Sequence, residues 1–319
     1  METLQKQWLE AVCAHVHGFI FLFVGLFSFL LDLSLLSTPL WSLSVLCLAW
    51  LFPDWDKPRQ GGCWKGAHVV SHGSWVPPRP FPPLSLYPKL VKTAELPPDR
   101  NYVFGSHPHG IMGIGTFCNF STKSTSFSQQ FPGPSVITLD GLFHLPVYRD
   151  YFMSTGLCSV KHQSLDFILS QPQLGKAIVI VVGGAQESLY ALPGEHHLIL
   201  KNHKGFTRLV LRHGASLVPV YSFGENDIYR HKVFATDSWQ YLWQTIIKKL
   251  LGFAPCIFWG RSLFSANSWV LLPFPVPITT VVGHPVLVPQ CLHPTNEEVD
   301  PYHTLYMKAL EQLRSTRKL

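Results

Sequence analysis

The chain has 319 residues, and only 14% of them are charged, against about 25% in an ordinary soluble domain. With 47% hydrophobic and 13% aromatic residues it is too apolar and too weakly charged to be intrinsically disordered, and its net charge of +6 is spread too thinly to indicate a nucleic-acid partner. Only one region is apolar enough to enter a bilayer, which excludes a many-span transporter, and the length holds one large domain or two small ones.

That region runs from Ala11 to Pro53 and contains a single charge, Asp32. Gly18–Leu36 and Leu40–Phe52 are apolar stretches parted by Ser37-Thr38-Pro39, reaching ~28 Å and ~20 Å as helices against a hydrocarbon core of ~30 Å. The reading is an N-terminal hairpin over residues 1–56 that dips into or just crosses a membrane. A cleaved signal peptide and a buried core helix are the rivals; the apolar run starts late and is long for a signal peptide. Lys57, Arg59 and Lys65 after it favour a cytosolic exit.

Residues 57–88 read as a proline-rich linker, with six prolines between Pro77 and Pro88. From residue 89 to 319 the texture is alternating strand and helix. Asn101–Ser106 is a strand ending in a histidine loop, Ser164–Leu169 a helix, and Ala177–Val182 a strand buried on both faces. Lys204–His213 is a helix closed by Gly214, and Ser216–Phe223 another buried strand. Ile278–Val282 and Val286–Val288 are two further strands. Thr295–Arg317 is a terminal helix with acids at its start and bases at its end. The pattern predicts an α/β domain with a mostly parallel sheet and flanking helices. The seven cysteines (13, 47, 63, 118, 158, 256 and 291) are odd in number and form no CxxC, so neither a disulfide framework nor structural zinc is expected, and the compartment reads as reducing.

Four motifs bear chemistry. Ser106-His107-Pro108-His109-Gly110 follows a strand directly. An imidazole there can take a proton from an alcohol near neutral pH, and the turn's N–H groups could hold an oxyanion, which suits attack of a hydroxyl on an acyl thioester. A pair of structural loop histidines and a His-x-His zinc site are the rival readings. Val182-Gly183-Gly184-Ala185-Gln186-Glu187 is a strand running into a glycine turn, where Glu187 could position a hydroxyl or a basic side chain. Lys204 and Arg208, at a helix start, could hold a phosphate. Tyr221–Asp227 brings Glu225, Asn226 and Asp227 to the end of a buried strand, where open α/β sheets gather ligands. Asn119-Phe120-Ser121 is a glycosylation sequon, idle if it faces the cytosol.

Taken together and in order, KLVKTAELPPDRNYV, SHPHGIM, FSQQFPG, LPVYRDYFMSTGLC, VGGAQESL, KGFTRLVLRHGA, VPVYSFGEND and PITTVVG resemble the diacylglycerol acyltransferase type 2 family, most of all its monoacylglycerol O-acyltransferase branch, from about Lys89 to Met307. The resemblance implies a glycerolipid acyltransferase-like fold and transfer of an acyl group from acyl-CoA, a co-substrate, to an acylglycerol or a long-chain alcohol. No bound cofactor or metal is implied. It further implies residence in the endoplasmic reticulum membrane with the catalytic domain toward the cytosol, an extension to lipid droplets, and room for a homo- or hetero-oligomer. His107 and His109 are then the catalytic histidines, with His109 the chosen base and Glu187 its orienting group. Pro108, Gly110, Gly183, Gly184, Lys204, Arg208, Glu225 and Asn226 would bind substrate. Two departures stand out: the proline-rich Gly62–Pro88 replaces the family's aromatic and basic helix, and the chain stops at Leu319, short of the usual tail. An inactive member that keeps the fold is the alternative they raise.

Overall fold

The computed structural model describes residues 20–52, 55–60, 88–121, 127, 131, 135–145, 148–261 and 272–315. Most of the 57–88 linker, the FSQQFPG segment apart from Phe127 and Phe131, and the Arg317 end of the terminal helix lie outside the described residues.

Nine strands are described: β1 Pro88–Lys92, β2 Tyr102–His107, β3 Ser135–Thr138, β4 Leu157–Ser159, β5 Ala177–Val181, β6 Ser216–Phe223, β7 Arg230–Lys232, β8 Ile257–Trp259 and β9 Ile278–Val282. Seven form one sheet in the order β1-β9-β6-β2-β5-β3-β4, and β7 pairs with β8 separately. From β6 to β4 every pairing is parallel; β9 runs antiparallel to β6 and parallel to β1. The expected mostly parallel sheet is therefore present. Its central strand is β2, all six residues of which are buried.

Strand geometry sends alternate side chains to opposite faces, and the two faces carry separate cores. Val103, Ile178 and Leu217 meet the apolar stripes of helices on one side: Leu165 and Ile168 of His162–Leu169, Leu209 and Val210 of Gly205–His213, and Tyr306, Leu310 and Leu313 of Asn296–Ser315. Tyr102, Phe104, Val179 and Val218 meet an aromatic cluster on the other, in which Phe120, Phe127 and Phe131 surround the Phe104 ring at 5.2–6.0 Å between centroids.

In chain order the described α-helices of five or more residues are α1 Gly25–Leu36, α2 Trp41–Leu51, α3 Tyr148–Ser154, α4 His162–Leu169, α5 Gly184–Ser188, α6 Gly205–His213, α7 Trp239–Leu251 and α8 Asn296–Ser315. Gly214 closes α6 in the left-handed conformation (φ 61°). A reciprocal cap starts α8: Thr295 Oγ1 accepts from the Glu298 N–H, and Glu298 Oε2 accepts from the Thr295 N–H. Val286–Val288 is not a strand; Val286 makes one isolated bridge to Leu217, because Pro285 has no N–H to extend a ladder.

The N-terminal region does fold back as a helical pair, with α1 and α2 joined at residues 37–40 and tied by Ser44 Oγ donating to the Asp32 carbonyl. The bilayer crossing that the sequence allowed is not met: among the described residues no helix is long and apolar enough to cross a membrane, since α1 has 12 residues and α2 has 11. The pair is rooted in the domain, where the buried Arg149 donates to the Leu51 carbonyl (2.8 Å) and Trp55 stacks on His144. Residues at the start of the expected linker are packed as well: Pro58, in a short 3-10 turn, is buried and accepts a hydrogen bond from Ser164 on α4.

Candidate active site

Three loops leave the carboxyl ends of the adjacent strands β5, β2 and β6 and meet at one edge of the sheet, where open α/β sheets place their ligands. β2 ends at His107, and the loop after it, entered through a cis His107–Pro108 bond, carries His109 and Gly110, which sits at φ 61°. The loop after β5 carries Gly183 and α5; the loop after β6 carries Glu225 and Asn226.

His109 is held at both ends. Its backbone N–H donates to Glu187 Oε1 at 2.7 Å. Its ring Nδ1 lies 2.9 Å from the Gly110 carbonyl and 2.8 Å from Ser188 Oγ. A carbonyl only accepts, so Nδ1 carries the proton and donates, leaving the lone pair on Nε2. Burial pushes the His109 pKa down, opposed by the hydrogen bond to Gly110 and by the Glu187 charge, which keeps the resting ring neutral and able to accept a proton.

His107 has the opposite tautomer. Tyr306 on α8 donates its hydroxyl hydrogen to the Gly105 carbonyl (3.0 Å), so its oxygen accepts, and His107 Nε2 must be the donor across 3.0 Å. The remaining nitrogen, Nδ1, is buried without a hydrogen-bond partner among the described residues. Burial and the nearby His203 drive the His107 pKa down to about 3, so this ring is neutral near pH 7. The two rings thus leave different nitrogens unprotonated, Nε2 on His109 and the buried Nδ1 on His107.

Glu187 does not touch the imidazole it was expected to orient. Both its oxygens accept backbone N–H groups, from His109 and from Ile199 (3.0 Å), and it positions the histidine through the main chain while Gly110 and Ser188 align the ring. A Cβ on Gly183 would collide with the Glu187 side chain, and Gly184 sits at φ 56°; the glycine pair lets the carboxylate curl under the loop. Glu225 plays the matching part opposite. It is buried, its Oε2 accepts the Gly115 N–H at 2.7 Å, its Cγ and carboxyl crowd Gly110, and Oε1 has no hydrogen-bond partner among the described residues. Desolvation lifts its pKa to about 7. The oxyanion role expected of the loop N–H groups is correspondingly narrowed, because those of His109 and Gly115 are already given to carboxylates.

The other expected binding residues are engaged within the protein. Asn226 Nδ2 donates to the Glu195 carbonyl (2.9 Å), clasping the loop after α5. Lys204 pairs with Asp300 (2.6 Å) and Arg208 donates to Asn296, so both cations at the start of α6 are tied to α8. Asn119 of the sequon is fully buried and donates to the Gly115 carbonyl and to Thr280, which removes it from any glycosylating enzyme. Among the described residues no three His, Cys, Asp or Glu side chains are grouped to hold a metal ion, and the two HPH imidazoles bond to different partners rather than converging.

Ser188 and Tyr306, which contact the two histidine rings, are the candidate site residues that sequence reasoning missed. Ser188 follows Glu187 directly, and a hydroxyl one residue beyond a positioning carboxylate was the available signal. Tyr306 lies 199 residues from His107 and no local pattern pointed to it.

A family model described as diacylglycerol acyltransferase matches residues 33–319. Among curated relatives, human 2-acylglycerol O-acyltransferase 3 is 64% identical over 319 residues, covering 99% of this chain and 92% of that protein. Human diacylglycerol O-acyltransferase 2 is 47% identical over 300 residues (93% and 76%), and its mouse counterpart 49% over 283 (88% and 72%). A solved bacterial 1-acyl-sn-glycerophosphate acyltransferase, PlsC from Thermotoga maritima, overlays with a TM-score of 0.38 at 12% identity over 98% of this chain and 99% of that one, too loosely to transfer any residue.

Proposed function

Because the chain belongs to the diacylglycerol acyltransferase family, we propose that it is an acyl-CoA-dependent O-acyltransferase that esterifies an acylglycerol hydroxyl, with monoacylglycerol as the first acceptor to test. The observation that carries this reading is His109: a neutral ring fixed by Gly110 and Ser188, its unprotonated Nε2 at the carboxyl edge of the sheet. The acceptor O–H gives its proton to Nε2 as its oxygen attacks the thioester carbonyl. The tetrahedral adduct then breaks its C–S bond, and the imidazolium returns the proton to the departing thiolate, leaving an ester and free coenzyme A. Nothing in this sequence requires a metal. The α1–α2 pair, with Phe27, Leu30, Leu33, Leu46 and Trp50 among its exposed apolar residues, supports a membrane-bound enzyme, in our reading at the endoplasmic reticulum with the site on the cytosolic side and with access to lipid droplets.

A labelled acyl-CoA assay on microsomes, run against monoacylglycerol, diacylglycerol and fatty alcohol, tests the reading. General-base catalysis is worth about 10²–10⁴-fold, so His109→Ala should lose at least a hundredfold of the activity while staying membrane-bound. Full activity in His109→Ala removes the proposed base; absence of product from the native chain with every acceptor favours a non-catalytic member of the family.

A further inference from the structure

Helix α7, Trp239–Leu251, is amphipathic in the inverted sense. Its polar side chains turn toward the protein: Tyr241 Oη lies 2.9 Å from Tyr190 Oη, the buried Gln244 donates to the Pro255 carbonyl at 2.8 Å, and Lys248 donates to Gln186. Its apolar side chains turn outward. Trp239, Leu242, Trp243, Ile246 and Leu250 are 73%, 59%, 52%, 45% and 73% exposed, at the spacing that puts them on one face. A helix bathed in water shows the reverse arrangement.

We propose that α7 is an interfacial helix whose outer face beds into the phospholipid surface while its inner face braces the catalytic turn. The choice of a lipid surface rests on the acylglycerol reading above, and three observations support it. Tryptophans at the start of the stripe suit the headgroup boundary, and the exposed Lys249 beside it suits anionic lipid. The face is also continuous with the hairpin's foundation. Gly252, which caps α7, abuts Leu139, and the segment from Leu139 to Tyr148 also receives Trp55, on His144, and Gly25, on Leu145 and Tyr148. Two exposed apolar surfaces thus grow from one floor. Finally, the inner face leads to the base. Gln186 and Tyr190 flank Ser188, Cys256 just beyond α7 contacts the Ser188 carbonyl, and Ser188 holds the His109 ring.

The full chain in proteoliposomes of phosphatidylcholine and phosphatidylserine, doped with a phospholipid bearing a diazirine in its acyl chain, tests this without depending on turnover. Photolysis should label peptides spanning 239–251 at a yield within about threefold of the hairpin peptides, as expected for a helix bedded at the acyl boundary. Label confined to the hairpin overturns the proposal, and so do α7-to-α7 cross-links between copies, which would make the face a self-association surface. In the same vesicles, Leu242→Glu with Ile246→Glu should cut acylation of bilayer-borne acceptor about tenfold while a short-chain acceptor below its micelle concentration is acylated at nearly the native rate. Equal losses on both acceptors would overturn the docking role. If no acceptor is acylated at all, the photolabelling still decides the placement of α7, so the two readings fail separately.

Discussion

His109 donates from Nδ1 and His107 from Nε2, although one proline separates them, and the difference comes entirely from what each ring meets: Gly110 and Ser188 in one case, Tyr306 in the other. Buried polar groups are therefore the decisive features of this site, and Glu225 is the one whose ionisation is most exposed to test. Its Oε2 accepts the Gly115 N–H, and its Oε1 has no hydrogen-bond partner among the described residues. Its pKa is raised from the ordinary 4.5 to about 7. Between those values the folded chain holds a proton that the unfolded chain has released, so stability falls as pH rises through that window and levels off above it. The penalty at pH 8 amounts to about 3 kcal/mol at most, at 1.36 kcal/mol per unit. Glu225→Gln keeps an acceptor for Gly115 and cannot ionise. Thermal unfolding in detergent at pH 5 and pH 8 should show the native midpoint falling with pH more steeply than that of the variant; parallel slopes would remove the burdened carboxylate.

At the scale of elements, α8 does more than cover the sheet. It delivers Tyr306 to the end of β2, and a Cβ at Gly105 would strike the Tyr306 hydroxyl, so strand and helix are fitted to one another at a single glycine. Tyr306→Phe keeps the ring among Phe206 and His107 but takes one donor from the Gly105 carbonyl and leaves the His107 Nε2–H without its acceptor. A buried N–H orphaned in this way costs about 1–3 kcal/mol. The variant should melt several degrees lower, and its kcat should fall because the His107–His109 turn loses its tether, with KM for acyl-CoA little changed. A melting point equal to the native one would show that the hydroxyl bridge is idle. This contact also marks where sequence reading stops. β5, β6, β9 and α6 were legible because continuous apolar runs and a terminal Gly214 are local signals, and the HPHG loop was legible as chemistry. The opposite tautomers of its histidines were not, since they depend on a tyrosine brought from the far end of the chain and on a serine hydroxyl whose direction only the fold sets. α7 was overlooked for a related reason: its periodicity is plain in Trp239, Leu242, Trp243, Ile246 and Leu250, yet nothing local says which face is turned outward. The short strands β3 and β4, at four and three residues, give too little periodicity to register.

For the whole molecule, the shortage of charge has two visible sources, the α1–α2 pair and the outer face of α7, both presenting apolar side chains where a soluble enzyme would set Lys and Glu. The hairpin is not an appended anchor, however. Ile20 and Val24 pack on the core that holds Tyr148 and Phe152, Gly25 fits against Leu145 and Tyr148, and the Leu51 carbonyl receives the guanidinium of Arg149, which is only 2% exposed. Removing residues 1–52 therefore strips a partner from a buried charge and uncovers apolar surface at the same place. A charged group left without its hydrogen bond costs about 1.5–3 kcal/mol, and the exposed apolar contacts add to that. For a chain of this size each kcal/mol moves the melting temperature by about 2–4 °C, so the truncated protein in detergent should melt roughly 5–10 °C below the full chain. Detergent replaces the bilayer in both samples, which confines the comparison to contacts inside the protein. An unchanged midpoint would mean that the α1–α2 pair adds nothing to the stability of the fold; the expected drop would mean that the α/β domain is completed by this N-terminal pair.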